Sequence, residues 1–139
     1  MTTDVKQAHI NTSGFLVLGR NRVRALSFVG TASAGTLAVF DTDTAPVTSG
    51  VTYGRTGTTV TVTKTAHGLV TGDTVGIHFE AFPSATDGNY VITRVDANNF
   101  TLTDINSGSI SGSPAAVYVS GGGSWLLTYE SAATDIFNN

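Results

Sequence analysis

Side chains of alternating polarity are the feature that most restricts how this chain can fold. Residues 58–64 read Thr-Thr-Val-Thr-Val-Thr-Lys, which places Val60 and Val62 on one side of an extended backbone and threonines on the other. This period of two is typical of a β-strand with one buried face. The segment 75–80 repeats the pattern, and it predicts that His78 faces solvent or a subunit contact.

Similar short runs recur along most of the chain. Further strands are predicted at Phe15–Arg20, Arg22–Gly30, Thr36–Asp41, Tyr90–Asp96, Asn99–Thr103, Ala116–Ser120 and Trp125–Glu130. The total of about nine short strands, separated by loops such as Ser107–Pro114, indicates an all-β sandwich or barrel. Thr, Val, Gly and Ser interrupt every helical window except Ser131–Phe137, where a single turn is predicted.

Composition excludes several classes of protein. The 139 residues contain no cysteine, so neither a disulfide framework nor a thiolate metal site can form. Charged residues make up only 12%, and the net charge of −3 does not favour nucleic-acid binding. The polar start at residues 1–14 and the short apolar runs predict neither a secretory signal nor a membrane span, so we expect a soluble product that is made in a cytoplasm.

A change of amino-acid composition along the chain predicts two domains. Residues 51–112 read as a self-contained β module bounded by loops rich in Ser, Gly and Pro. Residues 1–50 and 113–139 share a different composition, and we interpret them as one outer β domain into which the module is inserted. Insertions are tolerated at exposed loop tips, where few contacts cross.

The middle of the chain carries a recognisable motif. It reads TVTVTKTAHGLVTGDTVGIHF and then DGNYVITRVDANNFTLTD, within roughly residues 56–104. This pattern resembles the small β modules of phage tail and capsid proteins that are similar to the first catalytic cysteine half-domain of ubiquitin-activating enzymes. The residues that carry the resemblance include His67, Gly68, Leu69, Gly72, Asp73, Tyr90 and Phe100. The run GFLVLGRNRVRALSFVGTASAGTLAVFD also resembles small virion proteins of marine podovirus-like phages, in which an Arg-rich hairpin leads a β-sandwich.

This resemblance implies a building block, since the chain has no cysteine for ubiquitin chemistry. Gly68 and Gly72 are expected to supply backbone freedom for a tight connection. Asp73 is expected to cap the turn by accepting hydrogen bonds from nearby amides, and Leu69 to fill the module core.

No residue pattern predicts catalysis, a cofactor or a metal. His67 has no Ser, Asp or Cys partner at triad spacing, and we expect its ring to pack on the turn and bond a carbonyl. His9, His67 and His78 lack metal-ligand spacing. Asp41 and Asp43 have a spacing found in calcium loops but lack the rest of that motif, so a solvated turn is predicted there.

Five residues are predicted to lie at interfaces. Arg20, Arg22 and Arg24 recur at period two and would share one strand face. That face could be solvated, protect a sheet edge, pair with acidic residues of a shell protein or contact packaged DNA, although the overall acidity argues against DNA. Trp125 is predicted to anchor a core or an interface, and Phe137 to dock on a neighbour.

These observations predict a bacteriophage virion protein. The first hypothesis is a capsid decoration or cement protein that clamps major capsid subunits, with a trimer favoured because shells offer local three-fold positions. The alternative is a tail component, namely a tube, baseplate or fibre-borne host-contact domain. A stand-alone carbohydrate-binding or hydrolytic domain is the third hypothesis, and the sequence offers neither the paired carboxylates nor the aromatic cluster that it needs.

Overall fold

The fold is described from a computed structural model, which covers residues 35–42, 44–80 and 83–131. These residues form an all-β structure with eight strands and no helix. The strands are β1 (Gly35–Asp41), β2 (Val51–Lys64), β3 (Thr74–Phe79), β4 (Gly88–Val91), β5 (Thr93–Arg94), β6 (Asn99–Ile110), β7 (Ala116–Val119) and β8 (Ser124–Ser131). The described segments therefore offer no helix that could cross a membrane.

The strands form three antiparallel sheets. Their orders are β1-β8, β2-β6-β5 and β4-β3-β7. Two isolated bridges, Val47 with Tyr118 and Thr52 with Ala115, link β7 to the chain around the start of β2. Because β4 and β5 are separated only by Ile92, the two three-stranded sheets are joined on that side as well.

One apolar core lies between the two three-stranded sheets. Alternate residues of β2 and β6 supply Val60, Val62, Phe100 and Leu102, all of which are buried. Strand β3 adds three more, and Tyr118 of β7 packs its ring edge-on against Phe100 at 5.7 Å between centroids. The period of two in the sequence therefore identified the inner face of these strands correctly.

Strand β2 bends sharply near its middle. Fourteen extended residues would span about 45 Å, yet the Lys64 amine donates to the carbonyl of Ser49, which lies just before the strand begins. The register with β6 shifts between Gly57 and Thr59, and Gly57 faces Gly108 at that point. The β2–β6 pair is therefore a bent two-stranded ribbon, and side chains from both of its halves pack in the core.

The strands differ from the predicted ones in number and length. Two predicted strands, Phe15–Arg20 and Arg22–Gly30, lie outside the described residues. The predicted strand Tyr90–Asp96 is two strands, since Val91 pairs with β3 whereas Thr93 pairs with β6. The prediction of uniformly short strands was wrong for β2 and β6, because they pair with each other through the bend and take up part of the loop predicted at Ser107–Pro114.

Strand pairing also bears on the predicted division of the chain. Strand β1 pairs with β8, so two segments assigned to the outer domain do meet. Strand β7 was assigned to the same domain but pairs with β3, and its Ala116 and Tyr118 belong to the core of residues 51–112. The hydrogen bonds thus cross the boundary at 112/113, and the division into outer and inserted domains stays a prediction.

Candidate functional site

Polar side chains from three distant parts of the chain meet where β8 crosses β3. Asp87 lies just before β4, and one of its carboxylate oxygens accepts the Phe79 amide at 2.8 Å. The other accepts Nδ1 of His78 at 2.7 Å and the hydroxyl of Thr128 at 2.5 Å. The Thr128 hydroxyl in turn accepts the indole N–H of Trp125 at 2.9 Å. We call these four residues, His78, Asp87, Trp125 and Thr128, the junction network.

His78 contradicts its predicted position. The alternation of β3 placed it on a face open to solvent or a subunit, but its exposure is only 3%. The reason is that β8 covers this face, so β3 is buried on both sides. A period-two pattern distinguishes the two faces of a strand, but it does not reveal what packs on the second face.

The backbone of β8 lies directly against β3 and β4 beside the network. A Cβ placed on Gly76 would lie 2.2 Å from the Trp125 nitrogen, so only glycine fits there. The side chain of Asn89 accepts the Trp125 amide at 2.7 Å and donates to its carbonyl at 3.0 Å. The Asn89 side chain thereby makes the two hydrogen bonds that the backbone of a neighbouring strand would make with Trp125 of β8.

A buried ion pair lies close to this junction. Arg55 of β2 and Asp104 of β6 are 8% and 2% exposed, and Nη1 of the guanidinium donates to the Asp104 carboxylate. Asp104 also accepts the amides of Thr86 and Asn106. The Arg55 Nε is buried and has no hydrogen-bond partner among the described residues.

Both carboxylates are held in the ionised form. Burial raises the pKa of Asp87, but hydrogen bonds from His78, Thr128 and the Phe79 amide outweigh it and keep this pKa below its ordinary value. Burial likewise raises the pKa of Asp104, and bonds from Thr86, Asn106 and Arg55 reverse the effect.

Tyr90, one of the motif residues, lies in β4, directly after the loop that holds Asp87. Its hydroxyl donates to the carbonyl of Thr86 at 2.6 Å. Burial, with the nearby Asp104 and Asp87 carboxylates, raises the pKa of Tyr90 to about 12. The neutral phenol therefore acts as a hydrogen-bond donor that fastens the loop before β4.

An open cleft of about 530 Å³ lies beside the junction network. It is lined by Phe79, Ser84, Ala85, Thr86, Asp87, Asn106, Trp125 and Thr128. Several of its polar groups already bond to one another, as Asn106 does to the Thr86 hydroxyl at 2.8 Å. The cleft thus presents one indole ring among side chains that are mostly satisfied by the protein.

The network does not have the arrangement of a nucleophile and its base. In such a pair, a hydroxyl gives its proton to one ring nitrogen while a carboxylate accepts from the other. Here Asp87 and Thr128 both approach Nδ1 of His78, at 2.7 and 3.4 Å, and Thr128 gives its proton to Asp87. What this geometry does is bind β8 to β3 through a shared carboxylate.

The motif residues of the turn at 65–73 are where the sequence predicts them. Nε2 of His67 bonds the Asp96 carbonyl at 3.0 Å, and its Nδ1 accepts the Leu69 amide at 3.0 Å. Asp73 accepts the Val70 amide at 2.9 Å, which confirms the predicted cap. Gly68 and Gly72 have φ angles of 72° and 98°, in the region that favours glycine.

This turn is anchored on the apolar core. Leu69 is buried in it, and the His67 ring stands edge-on to Phe100 at 5.3 Å between centroids. Tyr90 is the motif residue that lies apart from this group, next to the junction. The motif residues therefore hold two separate parts of the structure, namely the turn at 65–73 and the loop before β4.

Other predicted residues fall elsewhere. Arg20, Arg22, Arg24, Phe137, His9 and Asp43 lie outside the described residues. Asp41 is exposed at the end of β1. Within the ranges that the structure describes, no three His, Cys, Asp or Glu side chains are grouped so as to hold a metal ion. Trp125 is half-buried at the junction.

Sequence reasoning missed the ion pair, although a signal for it exists. Asp104 follows Phe100 and Leu102 at period two, and Arg55 follows Val51 and Tyr53 in the same way. Alternation alone therefore places both charges on inner faces, where a charge needs a partner. Thr128 had no comparable signal, because its partner lies 41 residues away.

No protein-family model matches the chain, and neither the curated proteins nor the solved structures gave a match.

Proposed function

We propose that this chain is a non-catalytic structural protein of a bacteriophage particle. In this role it is made in the bacterial cytoplasm and becomes part of the virion as a capsid decoration or cement protein. It binds across neighbouring major capsid subunits and stabilises the head. Support comes from the motif at residues 56–104, which resembles phage tail and capsid modules, and from the surface that these same residues present.

The observation that carries the proposal is an uncharged outer surface on the β2-β6-β5 sheet. The side chains opposite the buried valines and Phe100 are all threonines, apart from Asn99 at one end. We call this surface the threonine face, and it consists of Thr59, Thr61, Thr63, Thr93, Thr101 and Thr103. Ile105 continues the face two residues beyond Thr103 and is 84% exposed.

Such a surface is suited to being covered by protein. Hydroxyl groups lose less on desolvation than charges do, and they can bond a neighbour's backbone. The centres of protein interfaces are depleted of charged residues. Ile105 offers an apolar anchor at the edge of the face, since it gains by transfer out of water. Binding at many sites of a shell would stabilise the shell by mass action.

The proposal is tested by mixing the purified chain with expanded, undecorated heads of the phage that encodes it. We expect the chain to co-sediment with the heads in a saturable manner and to raise their melting temperature. An Ile105→Lys variant should bind at least tenfold more weakly, because it places a charge in the contact. Val70→Lys is the matched control, as Val70 is also an exposed apolar residue but lies on the turn at 65–73.

The outcomes separate clearly. Loss of binding in Ile105→Lys with retention in Val70→Lys supports docking through the threonine face. Absence of binding by the unaltered chain at micromolar concentration contradicts the cement role. Equal binding by both variants contradicts the assignment of the face.

A tail component is the second candidate, and the cleft beside Trp125 favours it. An accessible indole next to carboxylate and amide groups is a combination that can contact a host-surface sugar. Retention of the chain on host cells or on lipopolysaccharide, with loss in Trp125→Ala, would support this role. Retention that is unchanged in that variant would count against the cleft.

A further inference from the structure

The second edge of β2 carries backbone groups that point away from its partner strand. The amide of Lys64 donates to the carbonyl of Asn98, the residue just before β6. In an antiparallel pair, hydrogen-bonded positions alternate, so Val62 and Val60 also face β6. The N–H and C=O groups of Thr59, Thr61 and Thr63 therefore point outward, where no backbone group of the described residues pairs with them.

This edge lacks the features that usually prevent strand addition. Residues 58–63 contain no charge and no proline, and the irregularity of β2 lies before them, at Gly57. The side chains of Thr59, Thr61 and Thr63 are exposed, and threonine has a high preference for strands. At the end of this edge, the Lys64 amine is held by its hydrogen bond to the Ser49 carbonyl.

We propose that this edge pairs with the same edge of a second copy of the chain. The two β2 strands would run antiparallel across a twofold axis at Thr61. Thr59 of one copy would then face Thr63 of the other, and Thr61 would face itself. Three hydrogen-bonded pairs would exchange two bonds each, giving about six backbone bonds between the copies.

The side chains favour a second copy as the occupant. On the exposed face each threonine lies opposite a threonine, and on the buried face Val60 lies opposite Val62. Such pairs stabilise antiparallel strands. In this register Lys64 lies opposite Thr58 of the other copy, so no like charges meet. A segment of another protein would need its own pattern to match, whereas the twofold axis matches this edge to itself.

The pairing would also enlarge the threonine face. Strands joined edge to edge continue one sheet, and a twofold axis perpendicular to that sheet keeps both threonine faces on the same side. The two β2-β6-β5 sheets would become one six-stranded surface. The inference stands on the β2 register alone and does not depend on the proposed cement role.

Analytical ultracentrifugation of the full chain tests the pairing. The unaltered chain should show a mass of about twice 14.3 kDa at concentrations up to about 0.5 mM. Thr61→Lys and Thr61→Glu should each sediment as monomers, because like charges would face each other at the axis. An equimolar mixture of these two variants should regain the mass of two chains, since Lys would then face Glu.

Controls make each outcome informative. Ile105→Lys adds the same charge off the edge and should leave the mass unchanged. Circular dichroism and thermal unfolding show whether the Thr61 variants keep the fold, and a change on this exposed strand position should be small. A monomeric or three-chain unaltered protein, or a Thr61→Lys variant that still pairs, would overturn the proposal. A mixture that stays monomeric would do so as well.

Discussion

The turn at residues 65–73 and the junction between β3 and β8 each use a histidine as a fastener, but in different ways. His67 bonds backbone groups at both ring nitrogens, namely the Leu69 amide on the turn and the Asp96 carbonyl between β5 and β6. His78 bonds the Asp87 carboxylate, which is shared with Thr128 from a strand 50 residues further along. The turn is held by hydrogen bonds to backbone groups, whereas the junction is held by a carboxylate that side chains from two strands share.

The buried ion pair beside the junction should give the largest effect. Asp104→Ala leaves Arg55 buried without a partner, and we expect the free energy of unfolding to fall by about 3–5 kcal/mol. The double variant Arg55→Met, Asp104→Leu replaces the pair with apolar groups and should lose far less. Chemical denaturation measures both.

A loss of similar size in the double variant and the single one would contradict this account. It would mean that packing volume, and not the uncompensated charge, sets the stability of this region.

The two regions also differ in why they need glycine. Gly76→Ala would push a methyl group into the backbone of β8, and we expect a loss of about 3 kcal/mol. Gly68→Ala meets no atom within 4 Å but keeps an unfavourable φ of 72°, so about 1 kcal/mol is expected.

Thermal unfolding followed by Trp125 fluorescence checks the order of the two glycines. If Gly68→Ala proves the more harmful change, then β8 can move away from β3, and the close crossing does not contribute to stability.

The histidines themselves allow a matched comparison. His78→Leu keeps the volume but removes a bond to a buried carboxylate, for which we expect a loss of about 2 kcal/mol. His67→Leu removes bonds to backbone groups that water can reach, and about 1 kcal/mol or less is expected. Urea denaturation of the two variants under one set of conditions measures the difference. Equal losses of unfolding free energy would show that the His78 bond to a buried carboxylate contributes no more than the His67 bonds to backbone groups.

Acid should weaken the junction. The pKa of Asp87 is lower in the folded chain than its ordinary value of 3.8, so the folded state binds fewer protons than the unfolded state. The stabilisation is present above about pH 4 and is lost as the pH falls through the lowered pKa. In Asp87→Asn the decline below pH 4 should be shallower, and what remains should come from carboxyls such as Asp104 and Asp96, whose pKa values are also lowered.

Unfolding free energies measured between pH 7 and pH 2 test this. An Asp87→Asn curve parallel to that of the unaltered chain would show that Asp87 does not contribute to the acid response.

This contrast explains how much of the structure could be predicted from the sequence. The turn was predicted residue by residue, because Gly68, Gly72 and Asp73 act on atoms within a few positions of themselves. The inner faces of β2 and β6 were also predictable, since alternation is a property of the strand alone. The lengths of these strands were not, because they depend on pairing across the bend at Gly57.

The junction could not be predicted, and the physical reason is distance along the chain. Whether His78 is exposed depends on β8 covering the second face of β3. The residues next to His78 in the sequence do not predict that packing. Asp87 and Thr128 look like ordinary loop and strand residues in the sequence. Only the inward placement of Arg55 and Asp104 was available from alternation, and it points to the same region.

A double-mutant cycle on Asp87 and Thr128 tests the central claim most directly, namely that the junction network fastens β8 to β3. The variants are Asp87→Ala, Thr128→Val and their combination, each measured by chemical denaturation at pH 7. The account predicts a coupling energy of about 1–3 kcal/mol between the two sites. Losses that add within about 0.3 kcal/mol would show that the two side chains do not act together and would contradict it.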